Sequence, residues 1–290
     1  MSEFPVQHLS PSSIQMFNRC GRQFMYRYLE GLVIPPGISA VRSTAAHTGV
    51  EVNLLNMIQT GTPAPLEAVE VACQEKVNSE WDKGVRLLPE EQDQAEPKLR
   101  GEAVDGAIRL ARTHYHDIAP KLQPVSIERW FELDVPGLLP CTIKGRIDLQ
   151  EKTGIRDLKT GKAYPAEDAA ERSPQLTWYA LAAQALDGAP PEYVSLDHLI
   201  LTKTGVTYRP QTAKRNEEDF TREIRRAQTV AEMIGDNYFP AATPDQWCCT
   251  PKWCGYWNRC PYGAKQSTTV SYAVTGKPAS KNGEEAGIDE

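Results

Sequence analysis

The chain divides by the period of its hydrophobic positions. Behind Ser10-Pro11, an N-cap followed by a proline suited to a first helical turn, Ile14, Phe17, Phe24 and Tyr28 recur at near-helical spacing. Gly31 and Pro35-Pro36 close that helical segment. Further helices are predicted over about 43–59, ended at Gly61, and over 66–83 and 99–119, the last two joined by a polar, acidic stretch from Pro89 to Pro97. Near Val125 the period falls to two. VSIERWFELDV alternates apolar and polar residues and predicts a strand; Pro136-Gly137 turns it into a second, CTIKGRIDLQ, and Lys152-Thr153-Gly154 leads to a short third, IRDLK. Helix returns over about 172–187, ended by Asp187-Gly188 and two prolines. A strand pair over 193–209 turns at Thr204-Gly205, and a charged helix follows over 215–236. Residues 265–290 have no periodicity and predict a flexible tail. There is no internal repeat. The expected architecture is α/β, a single unit over 1–264: a helical part over 1–120, a sheet core over 121–210, then a helix and a cysteine-rich segment over 211–264.

Charge sharpens this picture only through its distribution. The formal net charge is −6, and residues 51–105 alone carry twelve acidic against five basic side chains, so the rest of the chain is close to neutral. Segments 1–50, 140–165 and 201–226 are each net positive, which leaves room for a polyanion despite the overall sign. No apolar run reaches the roughly 20 residues that span a bilayer. The longest candidate, Leu176 to Leu186, is too short, and the first ten residues lack the pattern of a secretory signal. A cytoplasmic protein with no membrane partner is expected. Seven cysteines, an odd number without an export signal, point to thiols or metal ligands rather than a disulfide framework.

The chemistry concentrates in two places. In GRID followed by RDLKTGK, Asp157 and Lys159 stand two apart on a predicted strand and project from one face; antiparallel pairing would bring Asp148 beside them. Two converging carboxylates repel unless a cation lies between them, and hard oxygen ligands suit Mg²⁺ or Mn²⁺. Spacing alone favours a surface ion pair on a hairpin. The second place is WCCTPKWCGYWNRC, where Cys248, Cys249, Cys254 and Cys260 fall within thirteen residues, with a fifth thiol, Cys20, in the N-terminal helix. Four thiolates can bind zinc or an iron–sulfur cluster, and three clustered cysteines with one remote one lean towards the cluster. Cys73 and Cys141 are isolated and read as small buried residues. Trp247, Trp253 and Trp257 flank the cysteines and are expected to pack around them and exclude solvent, with stacking on DNA bases as the lesser reading.

Taken as a whole, GRID…RDLKTGK resembles the core of the PD-(D/E)XK nuclease superfamily, in particular its RecB-like branch. The resemblance implies a central mixed β-sheet flanked by helices. It also implies Asp148, Asp157 and the Leu158 carbonyl as metal ligands, and Lys159 as the catalytic lysine. In that branch a helical histidine before the sheet is a further ligand, matched by His47 in AAHTGVE, with Glu51 one turn on; Ser43 stands where the family often has glycine. A Q-x-x-x-Y motif on the helix after the lysine strand is matched by Gln175 and Tyr179. A subset that includes the CRISPR-associated iron–sulfur exonucleases brackets this core with one N-terminal and three C-terminal cysteines that hold a [4Fe–4S] cluster, joining the two chain ends. The opening LSPSSIQMFNRCGRQF is similar to theirs, so the likeness spans about residues 9–263. It implies Cys20, Cys249, Cys254 and Cys260 as cluster ligands, with Cys248 as substitute, because the first C-terminal spacing departs from the common C-x2-C.

The function implied is an Mg²⁺- or Mn²⁺-dependent deoxyribonuclease, an exonuclease acting on single-stranded DNA or duplex ends in recombination, repair or CRISPR adaptation. It would be a stand-alone enzyme or a subunit with recombination or CRISPR-adaptation partners, and phage-encoded in one version. Arg19, Arg22, Arg27, Lys144, Arg146, Lys162 and Lys203 are candidate phosphate contacts. A non-catalytic iron–sulfur DNA-binding subunit and an endonuclease on the same fold are the alternatives.

Overall fold

The computed structural model describes residues 4–263; the tail expected over 265–290 lies outside them. Six strands form one mixed sheet: β1 (His8–Leu9), β2 (Pro124–Leu133), β3 (Thr142–Glu151), β4 (Gly154–Gly161), β5 (Tyr193–Leu201) and β6 (Val206–Ala213). The order is β1-β3-β4-β5-β6, with β2 also paired to β3. The β2–β3, β3–β4 and β5–β6 pairs are antiparallel; β4–β5 and β1–β3 are parallel.

Helices cover both faces. On one side α1 (Pro11–Arg19), α6 (Pro174–Asp187) and α7 (Glu217–Gly235) share a core with Ile143, Ile147, Ile155, Val194 and Leu196. On the other, α3 (Ile38–Thr60), α4 (Leu66–Asp82) and α5 (Glu96–Thr113) pack on Leu149, Leu158 and Leu199. The strands feed both cores: Ile155 of β4 and Val194 and Leu196 of β5 face the first, and Leu158 and Leu199 face the second. The acidic segment 51–105 is the outer surface of the α3–α5 layer, where Glu80 pairs with Lys76 and Lys83 and Glu70 with Arg112.

The predicted elements occur within a few residues of their expected ends. The N-terminus of α1 is capped as anticipated: Ser10 Oγ accepts from Ser13 N at 3.1 Å, and Ser13 Oγ accepts from Ser10 N at 2.8 Å. Two features differ. The strand β1 is two residues long and pairs with a partner more than 130 residues away, so no local period announces it. The N-terminal helix is also not continuous. It breaks at Cys20, whose backbone is extended (φ −166°, ψ 106°), and resumes as a short α2 (Gly21–Phe24) that loosens into a π-helical turn over Met25–Leu29.

Gly145, the glycine of GRID, is required by packing. A Cβ there would fall inside the ring of Phe131, its neighbour on β2 and a fully buried core residue. Gly145→Ala is expected to cost about 1–3 kcal/mol by overpacking. The check is a lower urea midpoint at unchanged m-value.

Candidate functional site

The β3–β4 hairpin holds its two carboxylates opposite each other. Its register is Leu149↔Arg156 and Gln150↔Ile155, and pairing stops there; one further step would set Asp148 across from Asp157. At that point the strands part and open a cleft of about 520 Å³. Its walls are α3 (Ser43, Thr44, His47, Glu51), β2 and β3 (Glu128, Arg146, Asp148), β4 (Asp157 to Thr160) and Gln175 of α6.

The predicted catalytic side chains meet here in a closed chain of contacts. Lys159 Nζ lies 2.6 Å from Asp157 Oδ2 and donates to Gln175 Oε1 at 2.8 Å. Gln175 Nε2 donates to the Tyr179 hydroxyl at 2.6 Å, and that hydroxyl reaches Asp148 Oδ1 at 3.5 Å. The i,i+4 spacing of Gln175 and Tyr179 on α6 is what lets one helix face touch both the lysine and the first acid. His47 Nδ1 stands 3.9 Å from Asp148 Oδ2. The Leu158 backbone lies between them, its carbonyl against the imidazole and its N–H against the Asp148 carboxylate. Ser43, one turn before His47, accepts a hydrogen bond from Thr160 Oγ1 at 2.8 Å and so ties α3 to the end of β4.

Burial sets the electrostatics. Asp157 is completely buried, and Lys159 is the cation its carboxylate meets directly. Desolvation, opposed by Lys159 and reinforced by Asp148, pushes its carboxyl up to about 7. Asp148 is raised for the same first reason. Burial lowers His47 below the ordinary imidazole range, which favours the neutral form a metal ligand needs. Two converging carboxylates, a neutral imidazole and a backbone carbonyl are a donor set suited to a hard divalent cation. Among the described residues, however, no three His, Cys, Asp or Glu side chains converge tightly enough to make a ready-formed metal group.

Two features of the site were not anticipated from the sequence. Glu128 sits mid-strand on β2 with φ 51°, a left-handed conformation uncommon for a long side chain. That backbone turn aims its half-buried carboxylate into the cleft, where Arg146 pairs with it. Only its place in an alternating strand hinted at this. The second feature is a polar network on the opposite face of β4 from Asp157. Arg156 binds Glu151 at 2.5 Å and Asp197 at 3.0 Å, while Tyr193 donates to Glu151 and Tyr208 to Asp197. Burial works against the Arg156 charge, but its two carboxylate partners outweigh it and raise its pKa. No motif flags that network; it is legible only from burial.

The cysteines also come together. Cys20, at the break after α1, accepts a hydrogen bond from the Ala242 N–H at 3.4 Å. Gln23 of α2 donates to Cys254 Sγ at 3.6 Å, and Tyr26 faces Cys260. Burial raises the Cys249 thiol, and Cys20, Cys254, Cys260 and Cys248 all lie close enough to raise it further. Cys248 packs against Cys20, with its thiol directed at the Arg19 carbonyl (3.9 Å) and Gln246 (3.7 Å). No pair forms a disulfide. Cys73 is fully buried, whereas Cys141 is only partly so. Two of the three tryptophans correct the expectation of a solvent-excluding shell: Trp247 and Trp253 are 63% and 53% exposed and meet edge to face at 6.0 Å on the surface, while Trp257 is half-buried. The segment after α7 has only turns, and its buried side chains are Phe239, Ala242, Cys248 and Tyr256.

The Asp157 carboxyl is protonated more readily in the folded chain than its ordinary value of 3.8 would allow. Its contribution to stability is therefore complete at low pH and is lost as pH rises through about 7. In metal-free protein, Asp157→Asn is expected to raise Tm by several degrees at pH 8 and to leave it nearly unchanged at pH 4, since each pKa unit is worth ~1.4 kcal/mol. Thermal melts across that range, in chelator, check it.

Comparison with known proteins agrees with this geometry. The family model described as the PD-(D/E)XK nuclease superfamily matches residues 8–261. No curated protein matches. A solved structure from Eubacterium rectale, provisionally designated an exonuclease, aligns over 93% of this chain and 91% of its own at 9% identity, with a TM-score of 0.57. A second, SSO0001, aligns over 88% and 86% at 14% identity with a TM-score of 0.40. At 9% identity the first shares the fold alone. The family model covers nearly all of the described residues and both halves of the site, and the chain belongs to the PD-(D/E)XK nuclease superfamily.

Proposed function

We propose that this nuclease is a DNA exonuclease dependent on Mn²⁺ or Mg²⁺, with the ion held by His47, Asp148, Asp157 and the Leu158 carbonyl. The observation that carries the reading is the contact chain from Asp157 through Lys159, Gln175 and Tyr179 to Asp148, closed over by His47 in one cleft. When bound, the ion supplies Lewis-acid stabilisation of a phosphoryl oxygen and an acidified water. The rest is done by the protein. Lys159, anchored between Asp157 and Gln175, orients the attacking water and meets developing charge with its ammonium. Tyr179 and Gln175 fix the positions of Asp148 and Lys159, and Arg146 offers a cation to the substrate phosphates at the cleft wall. The expected setting is recombination, repair or CRISPR adaptation, in bacterial cytoplasm or a phage-infected host, alone or with a protein partner. No helix among the described residues is long and apolar enough to cross a membrane.

We further propose that Cys20, Cys249, Cys254 and Cys260 hold a [4Fe–4S] cluster. The support is the convergence of these thiols from sequence positions some 230 residues apart, with Cys20, Cys254 and Cys260 all beside Cys249. Its role is structural, because hydrolysis transfers no electron.

Two measurements test these readings. With Mn²⁺, end-labelled linear DNA should be degraded and closed circular DNA left intact. Lys159→Ala should reduce the rate at least ~100-fold, as expected for loss of a group acting in the transition state. Cutting of circles would indicate an endonuclease, and binding without cleavage a non-catalytic DNA-binding protein. Anaerobically purified protein should be brown and contain iron and sulfide. Cys249→Ala should lose both and melt lower, while Cys248→Ala retains them; stoichiometric zinc in colourless protein would refute the cluster.

A further inference from the structure

Trp130 is 69% exposed, more than any other described tryptophan, and it lies beside Arg146, which lines the cleft. Its cross-strand partner on β3 is Arg146, and Asp148 is the next residue of β3 on that face. The Arg146 guanidinium lies 5.5 Å from the indole centroid while lining the cleft, so one cation touches both the ring and the space beside the acids. Its ion pair with Glu128 holds it in that position. On the same face of β2 the neighbours of Trp130 are Glu128 and Glu132, engaged by Arg146 and Lys144 respectively. The ring is therefore set in a rim of ion pairs and not in an apolar patch suited to a protein interface. It presents a single aromatic face, sized for one planar ring.

We propose that Trp130, backed by Arg146, is a stacking shelf for one nucleobase of an unpaired strand, next to the phosphate that enters the cleft. This rests on the nuclease reading above and adds to it a residue that selects the strand form. Bases inside a duplex are stacked on both faces. Only a single strand or a frayed end can offer a free face to the indole, and such stacking tolerates every base.

Binding in the metal-free protein separates stacking from chemistry. Fluorescence anisotropy compares a labelled oligothymidylate with an abasic strand of the same length and charge. Trp130→Ala is expected to weaken oligothymidylate binding about tenfold, to leave abasic-strand binding unchanged, and to be largely rescued by Trp130→Phe. Because the side chain is exposed, the variant should fold normally, which its melting curve verifies. Unchanged oligothymidylate affinity, equal loss on both strands, or no binding by the unsubstituted protein would overturn the shelf. So would a dimer in sedimentation that Trp130→Ala converts to monomer, since the occupant would then be a second copy. If the protein binds oligothymidylate through Trp130 but cleaves nothing with Mn²⁺, the nuclease reading fails and the shelf stands. If it cleaves and Trp130→Ala binds as before, the shelf alone fails.

Discussion

Two carboxylates held face to face, one with no contact to water, are the constraint around which this molecule is arranged. Asp148 and Asp157 would occupy the next rung of the β3–β4 ladder, and the ladder ends where they begin. Desolvation and mutual repulsion both oppose their ionised forms, and Lys159 offsets that only in part, since Asp157 remains shifted to about 7. A sequence under selection for stability alone would place an aliphatic pair there, as it does at Ile147 and Leu149 on either side. The acids persist at a cost that a bound divalent cation would offset, and the shape of the cleft follows from keeping them together.

Keeping them together requires the sheet to resist their repulsion, and a buried ion network beside them does so. Arg156 precedes Asp157 in sequence and points the other way, where Glu151 on β3 and Asp197 on β5 clasp it. One guanidinium thus stitches three adjacent strands beside the acids. Its geometry is that of a planar donor fork, which an ammonium could not reproduce. On the opposite face Gly145 lets the Phe131 ring close against β3 three residues from Asp148, and on the face of Arg156 Thr160 binds Ser43 so that α3 presents His47 at a fixed distance. Positioning is therefore distributed over strand, helix and buried ion pair, while the reacting groups themselves remain few.

The sequence made one half of this legible and hid the other. Asp148, Asp157, Lys159, His47, Gln175 and Tyr179 lie in local strings whose spacing already states which face they share. Periods of 2 and 3.6 residues are local properties, and the helices and long strands appear where those periods run. What local reading missed depends on distant partners or on a single torsion angle. β1 exists because of Thr142 and Ile143, far along the chain. Glu128 enters the cleft because of one positive φ. Arg156 is indistinguishable from a surface arginine until Glu151 and Asp197 are seen around it. Trp247 and Trp253 show the opposite error: the number of tryptophans in the C-terminal segment suggested a packed shell, but a segment made of turns has no rigid face against which to bury these two.

The same segment shows why its thiols matter to a site they do not touch. Residues after α7 reach the N-terminal helices through the Phe239 ring, buried against Phe17 and Phe24, and through polar contacts: Arg259 to Glu30, the Tyr256 hydroxyl to the Leu32 carbonyl, and Gln23 to Cys254. The exposed Arg259–Glu30 pair contributes between nothing and about 1 kcal/mol, and no helix or strand of the segment braces its cysteines. Yet α1, which ends at Cys20, packs through Ile14 and Phe17 in the same core as Leu176 and Tyr179 of α6. That core fixes the helix carrying Gln175 and Tyr179, and through them the lysine and the first acid. Whatever secures Cys20 to the C-terminal thiols therefore also limits how far α1 can move against α6. The C-terminal cysteine segment and the most demanding geometry of the molecule are joined by one helix.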